Sequence, residues 1–148
     1  MTGTANSFQT AFRANETEAR CGICAVIAWL RAAGIDDDLA GSVEIALAEA
    51  INNVVEHAYA GGAPGDISVA ADMAGSDLHV EIVDSGVGLP ENRLPAGEQT
   101  DLTGPLETLP EGGFGWFLIR QLTRDLSYQR RNGCNRLSLC FDLARVGG

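Results

Sequence analysis

Glu49, Asn53 and His57 recur at four-residue intervals in a helical stretch, so a carboxylate, an amide and an imidazole rise along one stripe. An amide oxygen beside a carboxylate, with no basic partner, is an arrangement that a hard cation such as Mg2+ tolerates. A carboxylate one turn away can accept a proton from a hydroxyl nucleophile. A solvated helix face usually carries basic residues as well, yet neither lysine nor arginine occurs anywhere in 36–62. Leu47, Ile51, Val54 and Ala58 occupy the opposite stripe and are expected to face the core.

Asp84 continues the parity of Leu78, Val80 and Ile82, which points its carboxylate toward the covered side of a sheet. A carboxylate there is costly unless something hydrogen-bonds it, and the exocyclic amine of adenine is such a donor. Gly86 and Gly88 follow, which would let the backbone pass close to a flat ring. Gly112, Gly113 and Gly115 open a second apolar helical run, where unpaired backbone N–H groups attract phosphate. These glycines follow a loop rather than a strand, which excludes a dinucleotide-binding βαβ unit.

The elements that must hold these groups follow from periodicity. Ser7–Phe12 reads as an edge strand, 16–33 as a helix with Ile23, Val26, Ile27 and Leu30 on one face, and 36–59 as a second helix. Two alternating strands around Ile67–Met73 and Leu78–Ile82 come next. Residues 89–111 carry Pro90, Pro95, Pro105 and Pro110 with no periodic apolar signal, a composition of functional loops. A helix over 113–124 and a hairpin turning at Asn132-Gly133 close the chain. The expected fold is α+β, a two-layer sandwich of about five mostly antiparallel strands covered on one face by three helices.

With 148 residues, a single domain is expected. The formal net charge of −10 argues against a nucleic-acid surface, which needs a basic face. No apolar run is long enough to cross a bilayer and the opening residues do not resemble a secretion signal, so no membrane association and a cytoplasmic location are expected. Cys21 and Cys24 form a C-x-x-C inside an apolar helical stretch, while Cys134 and Cys140 lie in a strand-like segment. The four are expected to behave as small buried hydrophobes rather than as a zinc or redox site.

The order of motifs resembles the anti-sigma-factor serine/threonine kinases, small members of the ATPase superfamily that includes gyrase, histidine kinases and MutL. Ala46-Leu-Ala-Glu49-Ala-Ile-Asn-Asn53-Val-Val-Glu-His57-Ala-Tyr59 is similar to the family's N box, Val83-Asp84-Ser-Gly86-Val-Gly88 to its first glycine box, and Glu111-Gly-Gly113-Phe-Gly115-Trp-Phe-Leu-Ile119 to its second. The resemblance spans about residues 7–143. It implies a Bergerat-type fold binding ATP with Mg2+, Glu49 as general base and Asn53 as metal ligand. His57, Asp84, Gly86, Gly88, Gly113, Phe114 and Gly115 would contact nucleotide, and 89–111 would form the ATP lid. Arg20 matches a partner-surface arginine. The implied partners are a sigma factor or equivalent target and a small antagonist protein as phosphorylation substrate, with a homodimer permitted by the apolar first helix and Trp29. Two departures stand out: Leu109-Pro110-Glu111 occupies the place of an arginine that many members carry, and Cys134-Asn135-Arg136 that of a nucleotide-contacting threonine. A non-catalytic ATP-binding, partner-binding module is the alternative implied by the same resemblance.

Overall fold

Alternation at period two builds the sheet. In β3 (Asp66–Ala74) and β4 (Asp77–Asp84), Ile67, Val69, Ala71, Leu78, Val80, Ile82 and Asp84 are buried, while the residues between them are more exposed. The computed structural model describes residues 2–3, 6–59, 65–89, 94 and 113–144. The proposed lid falls outside the described residues apart from Leu89 and Leu94.

The remaining elements are β1 (Thr2–Gly3), β2 (Ser7–Arg13), α1 (Glu16–Ala32), α2 (Asp37–Asn53), α3 (Gly113–Leu122), β5 (Asp125–Arg131) and β6 (Cys134–Asp142). One antiparallel sheet runs in the order β1-β2-β3-β4-β6-β5. Five strands are long, as the alternation predicts, and the two-residue β1 adds a short border outside β2. At the β5–β6 turn both Asn132 (φ 54°) and Gly133 (φ 77°) adopt positive φ, the backbone of a tight hairpin with the twist of its flanking strands.

The three helices bury their apolar stripes on one side of this sheet. Ile23, Val26, Ile27 and Leu30 of α1, Val43, Leu47 and Ile51 of α2, and Trp116 and Ile119 of α3 join the strand residues in one core. Asp36 caps α2 by accepting from the Leu39 N–H at 2.8 Å, which fixes the start of the helix that carries Glu49 and Asn53. That helix does not stay α to its end: Val54–Ala58 form a π-helical turn. The last helix stops at Leu122, two residues earlier than its periodicity predicts, where Thr123 Oγ1 donates to the Ile119 carbonyl at 2.8 Å.

Candidate functional site

The sheet register continues an apolar row into a polar one. Across the strands, Phe12 faces Ile67, Ile67 faces Asp84, Asp84 faces Asn135 and Asn135 faces Arg130. Asp84 is 5% exposed and Asn135 6%. Asn135 Nδ2 donates to Asp84 Oδ1 at 2.8 Å, and the Gly86 N–H donates to the same oxygen at 2.9 Å. Together they meet the cost of burying the carboxylate. Its Oδ2 is left without a hydrogen bond among the described residues.

The chain leaving β4 is pinned from two sides. Tyr59 Oη accepts from the Ser85 N–H at 2.8 Å and donates to the Asp66 carbonyl at 3.0 Å. Burial pushes this hydroxyl's pKa up, which keeps it a donor. The Val87 N–H donates to the Ala58 carbonyl at 2.6 Å, tying the loop to the π-helical turn. A β-carbon on Gly86 would collide with the Ala58 carbonyl group. The sequence suggests a flat ligand as the reason for this glycine, whereas the constraint in the structure is the backbone of the neighbouring turn. Gly88 lies partly buried further along the same loop.

On α2, Glu49 is partly buried with its carboxylate against the first turn of α3: a β-carbon on Gly115 would stand 2.8 Å from Glu49 Oε2. Gly113 opens that turn and Phe114 follows, with a side-chain position outside the described residues. Asn53 is one turn further along α2, and its Nδ2 is buried without a hydrogen-bond partner among the described residues. His57 departs from the expected stripe. The wider π turn changes the phase after Asn53, and brings Ala58 rather than His57 against the loop. The His57 side chain is 60% exposed and stands 3.7 Å from the Glu56 carboxylate.

These residues fit Mg2+ and a polyphosphate. A buried amide without a partner is destabilising unless a ligand supplies one. Asn53 can donate to a phosphate oxygen or, turned about its last bond, offer Oδ1 to a metal. A phosphate drawn to the first turn of α3 would meet the Glu49 carboxylate, and a divalent cation reconciles the two charges.

The cysteine expectation changes. Cys21 and Cys24 are exposed, because the buried phase of α1 passes through Ala19, Ile23, Val26 and Leu30; all four cysteines are free, and Cys140 is buried as expected. Trp29 stacks on Phe8, with ring centroids 5.8 Å apart, so much of it is engaged within the fold. Arg20 is exposed on α1. The network around Asp84 also contains residues to which the sequence assigned no site role: Tyr59, Tyr128 and Arg130. Asn135 shares the parity of Leu137, Leu139 and Phe141, the local signal of its burial.

Asp77, His79 and Cys140 bring their donor atoms within 4.8 Å of one another on the sheet face away from the helices. Arg124 already supplies the cation there. Its Nη1 lies 2.7 Å from Asp77 Oδ1 and its Nη2 3.4 Å from Cys140 Sγ. The hydrogen bond from Arg124 holds the Asp77 carboxyl below its usual pKa, and burial pushes the Cys140 thiol up.

The sequence pattern of the histidine kinase-like ATPase domain matches residues 12–141, a range that takes in all three helices, the strands from β3 onward and every group of this site. The chain belongs to the histidine kinase-like ATPase family. Among curated proteins, this family member is similar to the serine-protein kinase RsbW of Bacillus cereus (strain AH820), 33% identical over 92 residues, covering 62% of this chain and 57% of that protein. The serine-protein kinase RsbW of Bacillus thuringiensis (strain Al Hakam) is likewise 33% identical over 92 residues, with the same coverage. The chain thus spans a little over half the length of these relatives, 57%. Its fold is similar to that of the RsbU and RsbW domains of a Mycobacterium tuberculosis protein (TM-score 0.65, 20% identity, 92% of this chain and 32% of that one). A histidine kinase domain from an Erythrobacter litoralis blue-light activated histidine kinase aligns with a TM-score of 0.54 and 22% identity, over 72% of this chain and 46% of that one. Among the described residues no helix is long and apolar enough to cross a membrane.

Proposed function

We propose that this histidine kinase-like ATPase is a protein-serine/threonine kinase of a partner-switching module, using Mg-ATP to phosphorylate a small antagonist protein. The observation that carries the reading is the placement of Glu49, with its carboxylate against the glycine-opened first turn of α3. The RsbW serine-protein kinases to which the chain is similar support it. Asp84 accepts the adenine amine, and the N–H groups opening α3 hold phosphate. Asn53 is the residue that would ligate Mg2+, which when bound neutralises phosphate charge. Glu49 accepts the proton of the incoming serine hydroxyl, so the chain's own contribution is positioning and proton removal.

In this role the protein binds a sigma factor or equivalent target in the cytoplasm, through a surface that includes Arg20 and as a homodimer. Phosphorylating the antagonist stops it competing for the target. Leu109-Pro110-Glu111, where many members of the resembled kinase family carry an arginine, favours the second reading, an ATP-binding module that binds partners without transferring phosphate. Incubation with labelled ATP and candidate antagonists, beside Glu49→Ala, decides between them. Label transfer by the parent and its loss in the variant support the kinase. ATP and target binding without transfer by the parent supports the module.

A further inference from the structure

We infer that Asn135 is a positioning residue that restricts Asp84 to reading a purine with one carboxylate oxygen, and so sets a preference for adenine over guanine. The inference rests on the proposed nucleotide site.

Every hydrogen-bonding position of the Asn135 amide is taken, and its orientation follows from its partners. Oδ1 accepts from Tyr128 Oη and from Arg130 Nη1, the latter at 2.8 Å. Nδ2 donates to Asp84 Oδ1 at 2.8 Å, to the Val87 carbonyl at 3.0 Å and to the Gly86 carbonyl at 3.3 Å. Turned over, the amide would set its oxygen against a carboxylate and two carbonyls, and its NH2 against a guanidinium. Tyr128 and Arg130 also hold the neighbouring loop: the Leu89 N–H donates to Tyr128 Oη at 3.0 Å, and Arg130 Nη1 donates to the Gly86 carbonyl at 2.9 Å. Strand β5 therefore fixes both the amide and the backbone beside the carboxylate.

The consequence lies at Asp84. Its Oδ1 has two lone-pair sites, filled by Asn135 Nδ2 and the Gly86 N–H, so among the described residues Oδ2 is the oxygen left for a ligand. Adenine offers a single exocyclic amine and needs one acceptor. Guanine presents N1–H and the 2-amino group side by side, a pair that a carboxylate grips with both oxygens. Occupation of Oδ1 denies that two-oxygen grip. Asn135 itself is buried and fully bonded, so it acts through Asp84 and not by touching the base.

The test is calorimetric titration of the parent, Asn135→Thr and Tyr128→Phe with Mg-ATP and Mg-GTP, with thermal melts alongside. The parent is expected to prefer ATP. Asn135→Thr is expected to reduce the ATP-to-GTP affinity ratio by about tenfold, the value of one charge-assisted hydrogen bond. Tyr128→Phe, which removes one oxygen and keeps the ring, is expected to shift the ratio the same way by a smaller factor. A purely structural role predicts that both nucleotides weaken together. A ratio unchanged in both variants, or unchanged in Tyr128→Phe if Asn135→Thr fails to fold, overturns the inference. A parent that binds neither nucleotide overturns the nucleotide reading itself, before any variant is compared.

Discussion

Glu49 and Gly115 are fitted to each other: the point where a β-carbon on Gly115 would stand is 2.8 Å from Glu49 Oε2. Two helices distant in sequence thus meet where a carboxylate needs space and a residue without a side chain provides it. The neighbour of that missing β-carbon is the far end of a flexible side chain, so an added methyl would move the carboxylate rather than the backbone.

Gly115→Ala is therefore expected to separate stability from activity. Alanine is favoured over glycine in a helix by up to about 1 kcal/mol, so the melting temperature should hold or rise. Displacing Glu49, the proposed base, should lower phosphoryl transfer by about ten- to a hundredfold. Melting curves and a transfer assay on the same preparation check it. Transfer at the parent's rate would mean that the position of Glu49 is unimportant.

Glu49→Ala and Asn53→Ala should fail differently. Losing the proposed base Glu49 should leave ATP binding in place while transfer falls by roughly 10²–10⁴-fold. Losing the amide should weaken Mg2+-dependent binding together with transfer, because Asn53 is the proposed metal ligand. Calorimetry with and without Mg2+, paired with the transfer assay, distinguishes the two. A solvated helix face predicts no change in either quantity.

Gly86→Ala should act on the fold. Its β-carbon would meet the Ala58 carbonyl group, which is backbone and cannot swing aside. A loss of about 1–3 kcal/mol in denaturant unfolding is expected, the usual cost of overpacking. An unchanged midpoint would show that the π-helical turn gives way easily.

Asp77 should contribute to acid sensitivity. Its folded pKa lies below the ordinary 3.8, first because of the hydrogen bond from Arg124. A depressed carboxyl pKa stabilises the fold above the unfolded value, and that contribution disappears as pH falls through the folded value. The window is therefore below about pH 4. Asp77→Asn should flatten the fall of melting temperature with pH in that range. An identical acid limb in parent and variant would show that the pair with Arg124 adds nothing.

Much of the site was legible because its signals are local. Glu49 and Asn53 are four residues apart on one helix, and Asp84 keeps the parity of the apolar residues before it. Helix period and strand alternation are properties of neighbouring residues, so the chain by itself determined the three helices, the five long strands, the burial of Asp84 and the glycine-led start of α3. Tertiary structure decided the rest. The pairing of Asp84 with Asn135 depends on β6 lying beside β4, which no local pattern specifies. The role of Gly86 depends on where Ala58 comes to lie, and the fit of Gly115 to Glu49 on how α3 packs against α2. The π-helical turn that moves His57 off its stripe has no counterpart in the period of the sequence, because its widened phase is coupled to a loop contact, Val87 to Ala58, between residues far apart in the chain. Contacts of that kind form only when the chain closes on itself, so composition and spacing can place a residue on a face but cannot name what it will touch there.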